Sequence, residues 1–232
     1  MSSRQDIRDG ADFDHSLRGL IYTDVLGWID MGHARGYDVE ELRRQFMQGE
    51  VSGRDYYVVM YRQDMHVAKF GSRLGIGKFA RWEIKRGRNV HDINRMMLAM
   101  MMSTAFRFEN LQSLRFFSWF TDSGLSGEDL VSDLFGFHRT IRPGFYAHQL
   151  KPVSYESALR RWDYYGAVGS FKNPGFKPMI FPDPDDPCVK HEPYIAELPM
   201  FMKWLYPWDD FTSGIVNVLT ENGTSFGYTG IR

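Results

Sequence analysis

The sequence predicts an α+β fold, and three observations carry that expectation. Between Asp55 and Ile84 the runs Tyr56 to Tyr61 and His66 to Phe70 carry the aromatic and β-branched residues that favour strands. Two runs, one after Asp38 and one after Asn89, set apolar residues at helical spacing behind a capping pair. The second run is so rich in methionine that apolar side chains surround most of the helix. This predicts a buried helix with a small antiparallel sheet packed on it.

In chain order, residues 1–16 are polar and read as a flexible N-terminal arm, followed by a single domain over 17–232. Leu17 to Ile29 has the aromatic and apolar content of one or two short strands. Asp38 and Glu41 form a capping box, Val39, Leu42 and Phe46 share a helical face, and Gly49 is read as the helix end. Tyr56 to Tyr61 and His66 to Phe70 read as a hairpin with a polar corner at Gln63-Asp64, and Phe79 to Ile84 as a third strand. Asn89 and Asp92 then cap a helix bearing Ile93, Met96, Met97, Met100, Met101 and Phe108. Ser126 with Asp129 opens another helix, with Leu130 and Leu134 on one face, and a further helix runs from Ser154 through Ala158, Leu159 and Trp162 to Tyr165. Eight of the 10 prolines fall between Pro174 and Pro207, which predicts an extended wrapping segment over 174–207.

Charge and composition narrow the function. Lys+Arg 28 against Asp+Glu 29 leaves no general electrostatic case for nucleic acid or an anionic membrane. The longest apolar stretch, Met96 to Met102, is too short to span a bilayer. Met1 to Asp6 lacks the apolar segment of a secretory signal, so synthesis in the cytoplasm is expected, and any export must follow a leaderless route. A single cysteine, Cys188, rules out an internal disulfide and a multi-cysteine zinc site. Neither a Gly-x-Gly-x-x-Gly fingerprint nor a Walker loop is present, and His191-Glu192 has no second histidine at ligand spacing, so no cofactor or metal is expected.

The candidate chemistry lies in the glycine-bounded stretch from Gly27 to Gly36. His33 is the leading catalytic candidate, because an imidazole exchanges protons near neutrality, and Asp30 is the nearby carboxylate that would orient it as a base. Asp38 is accounted for by capping, and Arg35 is within reach of it in sequence. Ser126 at a helix start would sit beside free backbone N–H groups able to hold an oxyanion, although a serine there is also an ordinary cap. Glu128 either supports the helix dipole or serves as acid or base. Glu109 ends the methionine-rich run, where an apolar surface would raise its pKa. Cys188 lacks a helix N-terminus that would activate its thiol.

The segments Gly19 to Thr23 with Gly27 to Arg35, and Ser126 to Gly136, resemble an uncharacterised bacterial family of domains of unknown function. Its members carry I-D-x-x-H-x-R and S-x-E-D-L-x-S-N patterns in the same order. Many members have cysteine where this chain has Asp24, and asparagine where it has Asp133, so a cysteine mechanism at position 24 does not apply here. The histidine-first order is also similar to cell-wall hydrolase effectors of the TseH kind, delivered by type VI secretion, which look like NlpC/P60 peptidases. That resemblance implies a permuted papain-like arrangement pairing His33 with Ser126, in a family whose nucleophile is cysteine.

These readings lead to one expectation and two rivals. The expectation is an antibacterial effector, a toxin acting as a hydrolase on an amide or peptide bond of peptidoglycan, with His33, Asp30 and Ser126 or Glu128 at its site. An immunity protein and a secretion-apparatus component would be its partners, and a target cell's periplasm its destination. The first rival is a non-enzymatic module presenting Trp204, Tyr206 and Trp208 to a partner. The second is a lysozyme-like glycosidase using Glu109 with another carboxylate.

Overall fold

The computed structural model describes residues 2–69, 72–113, 128–173 and 175–230. It has the expected α+β class, with helices and two sheets, one purely antiparallel and one mixed. In place of one domain over 17–232 there are two compact units, each built from two separate stretches of chain. The first joins residues 1–36 to 112–204 and the second joins 37–111 to 205–232.

In the first unit, β1 (Leu20–Thr23) and β2 (Gly27–Asp30) form an antiparallel hairpin with Tyr22 opposite Trp28. β5 (Met179–Ile180) adds to β2 in parallel at Gly27↔Met179, and β6 (Tyr194–Ile195) adds to β5 antiparallel. Gly27 has φ +73°, and a Cβ there would lie 2.0 Å from the Met179 carbonyl oxygen, so only glycine lets the two backbones meet. The Tyr22 hydroxyl donates to the Phe181 carbonyl at 2.7 Å and accepts from the Phe181 N–H at 2.9 Å. These two hydrogen bonds to a buried phenol fasten the proline-rich segment to the hairpin. Tyr22, Trp28, Trp162 and Phe181 belong to one core cluster, joined by Ile7.

Ile7 corrects the expectation of a loose arm. Ile7 and Phe13 are each 1% exposed, Ile7 bridges to Leu20, and Arg4 pairs with Asp163 at 2.7 Å. The arm is polar in composition, but Ile7 and Phe13 are spaced to reach the core, and burying them outweighs the entropy of ordering a short segment.

The same unit contains α3 (Asp129–Ile141), α4 (Ala147–Leu150) and α5 (Tyr155–Tyr165). Ser154 caps α5 as its sequence implied, its hydroxyl accepting from the Ser157 N–H. α3 is interior along most of its length: Asp129 through His138 are all buried.

In the second unit, α1 (Tyr37–Glu50) packs on β3 (Tyr56–Lys69), which pairs with β4 (Ser72–Lys85), which pairs in turn with β7 (Val216–Gly230). Burial alternates along β3: Tyr57, Val59 and Tyr61 are buried while Tyr56, Val58 and Met60 are exposed. The corner expected at Gln63-Asp64 is absent. β3 runs through it in unbroken register with β4, Gln63 opposite Lys78 and Asp64 opposite Gly77, because two adjacent polar residues within a long strand look like a turn when read locally. On the open edge of β3, the Gln45 side chain accepts from the Met60 N–H at 2.8 Å and donates to its carbonyl at 3.1 Å, closing that edge to stray pairing.

One local reading of α1 changes: the helix already includes Asp38, whose carboxylate accepts from the Tyr61 hydroxyl. Gly49 stands at the end of α1 as read, next to its last residue, and a Cβ there would come within 2.1 Å of the Tyr57 ring, so the glycine also permits close helix–strand approach. Glu50 then accepts from the Tyr57 hydroxyl and from the Gly87 and Arg88 N–H groups, tying the end of α1 to the turn after β4. That turn leads into α2 (Val90–Ser113), capped reciprocally by Asn89 and Asp92, with Ile93, Met96, Met97, Met100 and Met101 buried as expected. The side chains of Phe108 and Glu109 lie outside the described residues. No helix among the described residues is long and apolar enough to cross a membrane.

Candidate functional site

β2 delivers the chain to a single 3-10 turn, His33–Arg35, closed by Gly36 in the left-handed region at φ +65°. This turn and β2 pack directly against α3. The approach is close because both surfaces lack side-chain bulk: a Cβ on Gly136 would lie 2.8 Å from the His33 carbonyl oxygen, and one on Gly36 2.6 Å from the Gly136 carbonyl oxygen. The Thr140 hydroxyl also donates to the Gly36 carbonyl, at 3.3 Å. Asp129, Ser132, Asp133, Gly136 and Thr140 recur at three- and four-residue intervals, so one small and polar stripe of α3 faces the turn.

His33 meets a carboxylate across this contact. Its Nδ1 lies 2.9 Å from Asp133 Oδ1; since a carboxylate only accepts, Nδ1 carries the hydrogen and the far nitrogen, Nε2, is the one that exchanges protons. The His33 side chain is 38% exposed and that of Asp133 only 7%, so an accessible ring stands on a buried anchor. Desolvation by the surrounding protein works against the charged ring. The Asp133 carboxylate, by charge and hydrogen bond, outweighs it with help from Asp129 and Asp30, and holds the His33 pKa well above its ordinary value. The shift favours the imidazolium form, which gives a proton before it can accept one.

Asp30 takes a different part from the one its position suggested. Its Oδ1 accepts from the Gly32 N–H at 2.7 Å and the His33 N–H at 3.4 Å, so it shapes the backbone of the turn, and the ring is oriented by Asp133. The Asp30 N–H in turn donates to Ser132 Oγ at 2.9 Å, and that hydroxyl donates to the Glu128 carbonyl at 2.6 Å. Strand, turn and helix are thus joined by one chain of hydrogen bonds. Glu128 is 2% exposed and its Oε1 accepts from Ser2 Oγ at 3.0 Å, which makes it a buried structural group at the start of α3. Ser126 precedes α3 by three positions in sequence and lies outside the described residues.

The remaining candidates are elsewhere. Cys188 is exposed, its N–H held by Asp186 Oδ1, and the His191 ring contacts the Asp186 carbonyl at 2.8 Å. Among the described residues no group of three histidine, cysteine or acidic side chains is placed to hold a metal. A cavity of about 760 Å³ is lined by Tyr22, Asp24, Arg161 and Asp183, without His33. Arg161 at its wall is fully engaged, donating to the Phe181 carbonyl at 3.0 Å and to Ser157, pairing with Asp183 at 3.3 Å and lying over the Tyr22 ring at 4.6 Å. It is a fold anchor.

Sequence reasoning found His33 but missed Asp133 as its partner. The available signal was the stripe on α3, a pair of aspartates four residues apart beside a glycine and a threonine, on the face away from Leu130 and Leu134. Comparison with protein-family models, curated proteins and solved structures finds no match for this chain, so the likenesses drawn from the His33 and Ser126 segments rest on those residues alone.

Proposed function

We propose that this protein is a hydrolase acting on an amide or peptide bond of peptidoglycan, with the His33–Asp133 pair as its acid–base group. The observation that carries the reading is a partly exposed imidazole whose inner nitrogen is held at 2.9 Å by a buried carboxylate. This is the arrangement by which hydrolytic histidines are fixed in tautomer and orientation. The raised pKa suits protonation of a leaving amine at neutral pH, while base action grows as the ring deprotonates. The attacking group would be the Ser126 hydroxyl or a water molecule. As an antibacterial effector, the protein would work in a target cell's periplasm and require an immunity protein in its producer.

Purified protein is expected to release soluble fragments from sacculi, with new amino termini and no new reducing ends. His33→Ala should abolish release while the circular dichroism spectrum is unchanged. Undiminished release by that variant removes His33 from the mechanism, and reducing ends in place of amino termini would mark a glycosidase. A module that binds without turnover is the second reading, favoured because an ion pair is also how a purely structural histidine is satisfied. Retention on sacculi with no release by the wild-type protein would identify it.

A further inference from the structure

We propose that a second site, a cavity beside the C-terminal half of α3, binds one sugar residue through His138. The cavity measures about 320 Å³, and His138, Arg142, Phe145, Tyr146, Gln149 and Phe201 contribute to its lining. His138 is 1% exposed, yet neither ring nitrogen makes a hydrogen bond of acceptable geometry among the described residues. The Met202 backbone lies near the ring and favours its protonated form, against the larger effects of burial and Arg142. Buried polar atoms ordinarily find partners, so two unpartnered nitrogens on a cavity wall point to a ligand that supplies them.

The chemistry of the ring selects the ligand. Burial, and then the neighbouring Arg142 charge, push the His138 pKa down to about 4, so the ring is neutral at physiological pH. A neutral imidazole offers one N–H donor and one lone pair, which a hydroxyl, donor and acceptor in one atom, can satisfy. The walls suit the apolar face of a pyranose: the Tyr146 and Phe201 rings lie 5.2 Å apart, and Phe145 is 71% exposed. The Arg142 guanidinium, stacked 5.1 Å from the centre of the Trp204 ring, and the exposed Gln149 amide add rim donors for a ring oxygen or an N-acetyl carbonyl. An alkyl chain would leave the imidazole unsatisfied, and an anion would favour a charged ring, which burial and Arg142 oppose. Asp133 and His138 are five positions apart, about 140° around the helix. The sugar site therefore lies on a different face of α3 from His33 and does not depend on that residue's role.

The test is a titration of the full chain with N-acetylglucosamine, following histidine ring resonances by NMR, with sodium acetate as the anionic control. The His138 signals should shift saturably with a Kd on the order of 1–10 mM, while those of His33 stay in place. Gln149→Ala, an exposed change that leaves the core intact, should weaken binding at least about threefold, and Phe201→Ala about tenfold, each with an unchanged circular dichroism spectrum. His138 signals unmoved by about 50 mM sugar would overturn the proposal. So would acetate shifting them as strongly as the sugar, or full affinity in both variants.

Discussion

Replacing Asp133 by asparagine tests the ion pair on which the candidate site is built. The change keeps the side-chain volume and removes one charge from 2.9 Å beside His33 Nδ1. Two unit charges at that separation attract by roughly 6 kcal/mol at an effective dielectric of about 20. Because the imidazole is 38% exposed, solvent screens most of this, and a net loss of about 1–2 kcal/mol is expected. The sign with pH follows from the direction of the shift. A histidine whose pKa is raised on folding contributes its full stabilisation below the unfolded value of about 6.5, and loses it as pH rises through the folded pKa. Asp133→Asn should therefore be most costly around pH 5.5–6.5 and nearly neutral at alkaline pH. Urea unfolding of both proteins at the two pH values measures the difference, and NMR titration of the His33 ring, assigned with His33→Gln, measures its cause. An equal loss at both pH values, or a wild-type ring titrating at or below about 6.5, would refute the reasoning.

Four other perturbations probe the scaffold. Ser132→Ala removes the acceptor of the Asp30 N–H and should cost about 1–2 kcal/mol in urea unfolding, with hydrogen exchange accelerated at Asp30. Gly136→Ala forces a Cβ to within 2.8 Å of the His33 carbonyl and should cost about 1–3 kcal/mol and displace the turn, read as altered His33 chemical shifts. Gly49→Ala meets the Tyr57 ring at 2.1 Å and should destabilise by a similar ~1–3 kcal/mol while leaving the His33 titration where it was, since the two positions belong to different units. Arg161→Met strips a side chain 6% exposed from Asp183, the Phe181 carbonyl and the Tyr22 ring; a loss of about 2–3 kcal/mol is expected, and one below about 1 kcal/mol would show that the anchor is dispensable.

The sequence by itself determined what is set by neighbours along the chain. The α+β class, the strand-forming run of β3, the Asn89 cap, the buried methionines and the Ser154 cap are all set by residues close in sequence, and they stand in the fold where they were read. Local reading failed where a residue's role belongs to a distant partner. Gln63-Asp64 looks like a corner until Lys78 and Gly77 pair with it. The polar arm looks loose until Ile7 finds Leu20. For the site the division is the same: a histidine between glycines marked the turn, but only packing brought it to Asp133, a hundred positions along the chain, and gave Asp30 to the backbone. A hydrogen bond and a charge pair act over about 3 Å, and which side chains come within that distance is decided by the tertiary fold.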